Sequence, residues 1–145
     1  MKSSLSIILV LLCFVGHSQD AQNTNAAAID SVIKAAEKMP TADEQVIALS
    51  QFTSKLRYGA GSLRLINKSE EISNRSKTPK LLATTYYYYG NYYYYNSKLD
   101  SSLYYIAKSK ALINDDELPF LRSSILNTEG GVYAVKGDMP QALTL

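Results

Sequence analysis

The 145-residue chain contains one cysteine, one histidine and no tryptophan. Cys13 and His17 both fall within the first eighteen residues, so everything after them lacks both side chains. That excludes a Ser-His or Cys-His catalytic pair, an ordinary zinc centre and any disulfide within the chain. Proline and glycine are scarce as well, at four and seven, which leaves little material for long irregular regions. Charge of one sign is not in excess either: fifteen basic residues face thirteen acidic ones. Without a basic surplus, nucleic acid and anionic membrane surfaces are not expected partners. Hydrophobic residues at 46% and charged residues at 19% are the balance of a chain that buries a core rather than a disordered one.

The apolar core of the N-terminus is Leu5–Val15, well short of the ~20 residues that a spanning helix needs. Lys2 precedes it and Gly16-His17-Ser18 follows, so residues 1–18 read as a signal peptide cleaved after Ser18, with an uncleaved anchor as the alternative. A lipid attached at Cys13 is disfavoured, because Leu12 stands where a small residue is required. The expected mature chain is exported, periplasmic or extracellular. It has no histidine, no cysteine and no membrane span in the segment shown.

Tyrosine is what the chain has in plenty. Eight of its twelve tyrosines lie between Thr84 and Ser97, in two blocks around Gly90-Asn91. Locally this suits a β-hairpin, since tyrosine favours strands and Gly-Asn suits a two-residue turn. A long buried helix fits equally well, because a short apolar run is ambiguous by periodicity alone.

Neighbouring segments decide between them. Ile29, Val32, Ile33 and Ala36 recur at helical spacing, predicting a helix from Ala26, capped by Asn25, to Lys38 before Pro40. Thr41-Ala42-Asp43-Glu44 is a capping box that opens a second helix to about Leu56, and a third runs from about Ala60 to Asn74. Ser62–Ser69 then matches Ser102–Ser109 at five of eight positions, forty residues apart. The same offset pairs Pro79 with Pro119, Gly90 with Gly130, and Tyr93 with Tyr133. Each unit reads as a helix pair, with Pro79 or Pro119 at the first helical position and the second helix starting at Leu99 or Met139.

Twelve residues separate a small side chain on the first helix of each unit from one on the second: Ser50 and Ser62, Gly90 and Ser102, Gly130 and Ala142. Glycine inside a helix costs ~1 kcal/mol relative to alanine. A close helix crossing with a small partner offsets that cost, whereas a turn glycine needs no such partner. The pattern favours helix over hairpin for 84–97.

These residues resemble the tetratricopeptide repeat family. Its large-residue, large-Gly, aromatic pattern appears as Tyr86-x-x-Tyr89-Gly90-x-x-Tyr93, followed by Ser102-x-x-x-Ile106. It recurs as Leu126-x-x-Glu129-Gly130-x-x-Tyr133 with Ala142, and in diverged form as Val46-x-x-Leu49-Ser50-x-x-Thr53 with Ser62 and Ile66. The resemblance covers residues 42–145 and implies an all-α fold, a right-handed α-α superhelix of about three hairpin repeats. The units are 42–78, 79–117 and an incomplete 118–145, with 19–41 holding a capping helix. Glu129 at an apolar position and the Gly130-Gly131 pair predict an irregular third unit. The short final helix predicts the N-terminal part of a longer protein or a truncated reading frame, the chain alone being poorly soluble or partly unfolded.

No catalytic or metal-binding role is expected, and no cofactor. Ser31-x-x-Lys34 lacks the companion motifs of the penicillin-interacting enzymes. The acidic groups Asp43-Glu44 and Asp115-Asp116-Glu117 sit at expected helix starts, where the helix dipole favours them. Asn67-Lys68-Ser69 and Asn74-Arg75-Ser76 fit glycosylation acceptors, a common triplet that matters only in a eukaryotic secretory pathway. Helical spacing puts Tyr86, Tyr89 and Tyr93 on one face as a core stripe, and Tyr87 and Tyr94 on another. The resemblance implies that this second face lines a peptide groove made of Thr84, Tyr87, Asn91 and Tyr94, joined by Ser124, Asn127 and Gly131. The implied function is protein or peptide binding, as a scaffold or as the sensory region of a membrane histidine kinase or helix-turn-helix regulator. Tyr87 and Tyr94 packing on the neighbouring unit remains the competing expectation.

Overall fold

Prolines, a capping box and two left-handed glycines set the helix boundaries. The computed structural model describes residues 21–114 and 118–144, with side chains from residue 26. These residues form α1 (Ala21–Glu37), α2 (Ala42–Lys55), α3 (Ser62–Ser76), α4 (Pro79–Tyr95), α5 (Leu99–Lys110), α6 (Pro119–Lys136) and the short α7 (Met139–Ala142), with no strand among them. The protein is all-α.

The capping box at α2 is complete: the Thr41 hydroxyl accepts from the Glu44 amide at 3.2 Å, and the Glu44 carboxylate accepts from the Thr41 amide at 3.3 Å. Pro79 and Pro119 each open a helix, where a missing N–H costs nothing. Gly61 (φ 84°) precedes α3 and Gly137 (φ 83°) ends α6, both in the left-handed region that favours glycine.

Several boundaries differ from the sequence reading. Asn25 does not cap α1, because the helix already begins at Ala21. Helix α3 starts at Ser62, not Ala60, since Gly61 supplies the left-handed entry. Thr78 stands at the N-cap of α4, but its hydroxyl donates to the Ser76 carbonyl at 3.3 Å instead of capping. The helix expected over the hairpin for 84–97 is present: α4 continues through Gly90-Asn91 to Tyr95, with Asn96 at its C-cap. Helix α6 is likewise unbroken at Gly130-Gly131. Glu129 fits there because its carboxylate accepts from the Lys110 ammonium of α5 at 2.8 Å. The expected export segment and Asp115–Glu117 lie outside the described residues.

Each helix packs on the next, and α2, α4 and α6 also touch in series, as do α1 and α3. Hydrogen bonds give the directions. Ser102 pairs with Gly90 and Ser109 with Ala83, so α4 and α5 run antiparallel. Lys110 with Glu129 and Asp100 with Lys136 place α5 antiparallel to α6. Ile29, Val32, Ala36, Val46, Leu49, Leu65, Ile72 and Leu81 form one core across α1–α4. Ile66, Tyr86 and Tyr89 begin a second, aromatic one. No helix among the described residues is long and apolar enough to cross a membrane.

Candidate functional site

From Leu81 to Tyr95, helix α4 has no charged side chain, and its tyrosines separate into two groups, Tyr92 joining the first beside Tyr93 at 5.3 Å between centroids. The first faces α3 and α5. Tyr86 and Tyr89 are buried, Tyr93 is half-buried, and Tyr105 of α5 lies among all three. Its ring centroid is 5.9 Å from Tyr86, 4.6 Å from Tyr89 and 5.4 Å from Tyr93. The Lys108 ammonium sits 4.0 Å above the Tyr86 ring centroid, and this contact with Tyr86 raises the lysine pKa. The Tyr89 hydroxyl lies 2.7 Å from the Asn67 side-chain oxygen and 2.8 Å from a Glu70 carboxylate oxygen, and its single proton serves either acceptor. Burial first, then the Glu70 carboxylate, pushes the Tyr89 pKa far up.

The crossing of α4 and α5 is tight at Gly90. The Ser102 hydroxyl donates to the Gly90 carbonyl at 2.8 Å, and a Cβ at position 90 would lie 2.7 Å from the δ-carbon of Ile106. At Gly130 an added Cβ would meet only the Ala142 carbonyl at 3.5 Å, an ordinary contact, and Tyr133 is half-buried on the same helix.

The second group forms a continuous band of five rings. Successive centroids from Tyr87 to Tyr88, Tyr58, Tyr95 and Tyr94 are 5.3, 6.3, 4.9 and 5.4 Å apart. Tyr58 follows α2 and stacks on Tyr95, an exposed ring at the end of α4. Burial raises the pKa of Tyr58 and of Tyr88, which form the floor of the band. At its far end the Tyr94 hydroxyl reaches α6, 3.2 Å from where a side chain at Gly131 would begin.

The remaining groove candidates are placed as follows. Asn91 is buried at the contact of α4 with α6: its amide donates to the Tyr87 carbonyl at 3.1 Å, and its side-chain oxygen accepts from Thr128 at 3.2 Å. Asn91, Tyr94 and Gly131 therefore meet at one helix contact. Thr84 is half-buried and bonds its own helix at the Lys80 carbonyl. Ser124 does the same at Phe120, and Asn127 is exposed. The sequence reading passed over Tyr58, Tyr88, Tyr95, Tyr105 and Thr128. Only Tyr105 had a usable signal, since the forty-residue register pairs it with the buried Leu65.

Chemically, this band offers aromatic faces and phenol hydroxyls without formal charge. Comparison of the chain with family profiles, with characterised proteins and with solved structures finds no match. The class defined by the residues is an all-helical protein with a half-exposed tyrosine surface on its central helix.

Proposed function

We propose that the chain is a protein-binding module of the tetratricopeptide kind, a right-handed superhelix of hairpins that holds an extended peptide. The observation that carries the reading is the tyrosine band: five rings on α4 and the turn after α2, with Tyr87 and Tyr94 half-buried and Tyr95 exposed. Tyrosine presents a large, rigid contact area with few torsions to freeze, which suits recognition at low entropic cost. The small residues at the helix crossings support the hairpin repeat, and the three antiparallel pairings α3–α4, α4–α5 and α5–α6 agree with it. No catalytic role is assigned. With Lys2 and Leu5–Val15 read as an export signal, the surface works outside the cytoplasm.

The test is titration calorimetry with a peptide selected on the purified chain from a random library, repeated on Tyr87→Ala and Tyr94→Ala. Weaker binding at unchanged helicity supports the reading. Equal binding by both variants removes this surface from consideration, and matched loss of helicity shows that the two rings serve packing alone.

A further inference from the structure

We infer that the tyrosine band takes a proline-rich segment in the polyproline II conformation, a ligand class that rests on the peptide-binding reading above. The hydroxyls of Tyr87, Tyr94 and Tyr95 make no hydrogen bond among the described residues, although their rings are held in the band. The surface thus offers flat apolar faces together with phenol donors. A polyproline II chain offers the complement: it has no internal hydrogen bonds, so its carbonyls are free acceptors, and its pyrrolidine rings are flat apolar surfaces. A glycan is a poorer complement, because sugar hydroxyls also need strong acceptors, and none of the five band residues is a carboxylate. The absence of charge from Leu81 to Tyr95 argues against selection of acidic or basic peptides by the α4 part of the band.

The backbone supports a built surface. Arg57 and Tyr58 are consecutive non-glycine residues in the left-handed region, at φ 49° and 57°. This uncommon conformation carries the Tyr58 ring against Tyr95, 4.9 Å between centroids.

The experiment measures fluorescence anisotropy of labelled decaproline on the purified chain, beside a glycine-serine decamer and a malto-oligosaccharide. Library-selected peptides are sequenced in parallel. Decaproline binds and the glycine-serine peptide does not, affinity is unchanged between low and high salt, and selected peptides are enriched in proline. Tyr95→Ala weakens decaproline binding by about tenfold, and Tyr95→Phe, which keeps the ring, by about threefold. Selected peptides that bind through Tyr95 without proline overturn this proposal and leave the peptide reading standing. Malto-oligosaccharide in place of decaproline overturns it too, and binding of no peptide at all overturns both.

Discussion

Ser102 on α5 donates its hydroxyl to the carbonyl of Gly90 on α4 at 2.8 Å, and seven residues along each helix Ser109 donates to Ala83 at 2.7 Å. Ile106, between the two serines, fills the space that a side chain at position 90 would need. Gly90→Ala gains helix propensity but drives a methyl into a fully buried isoleucine. Overpacking of this kind costs ~1–3 kcal/mol. Urea melts should show a net loss, and the loss should shrink in an Ile106→Ala background, which removes both of the nearest atoms.

Equivalent serines at two crossings should respond differently. Ser102→Ala removes a satisfied buried hydrogen bond and should cost about 1 kcal/mol. The hydroxyls of Ser50 and Ser62, at the crossing of α2 and α3, are buried with no partner among the described residues. Replacing Ser62 with alanine removes an unpaid desolvation and should leave stability equal or raise it by up to about 1 kcal/mol. Thermal melts of the two variants read the difference.

Tyr105 and Tyr104 are neighbours with unlike roles. Tyr105 touches Tyr86, Tyr89 and Tyr93, whereas Tyr104 is 59% exposed. Tyr105→Ala should cost ~3 kcal/mol or more, by analogy with buried phenylalanine, and Tyr104→Ala under ~0.5 kcal/mol. Denaturant midpoints at constant slope provide the comparison.

Alkaline pH should unfold the protein from the tyrosines outward. Burial raises the pKa of Tyr58, Tyr88, Tyr89 and Tyr105 above the ordinary value of 10.0. Between the unfolded and folded values the unfolded chain has lost protons that the folded chain keeps, so stability falls as pH rises. The contribution is complete below about pH 10 and is lost above it. Tyrosinate absorbance should therefore rise in two stages, the second coinciding with loss of helical circular dichroism.

Local signals carried much of the architecture. The Thr41–Glu44 capping box, Pro79 and Pro119 act within one helical turn, so helix starts were readable from a few residues. The Gly90–Ser102 crossing was readable because the pairing repeats at a fixed offset. The Tyr58–Tyr95 stack was not: it joins distant segments through two left-handed residues that are not glycine, which no local signal marks. Asn91 illustrates a second limit. Helical spacing put it beside Tyr87 and Tyr94, but only the approach of α6 provides Thr128 as its partner.

The proposed division of α4 into a packing face and a binding face is tested most directly by amide chemical-shift mapping with a library-selected peptide. Shifts should concentrate at Tyr58, Tyr87, Tyr88, Tyr94 and Tyr95, with Tyr86, Tyr89, Tyr93 and Tyr105 nearly unmoved. Shifts centred on Tyr105 and α5, with the band silent, would contradict it.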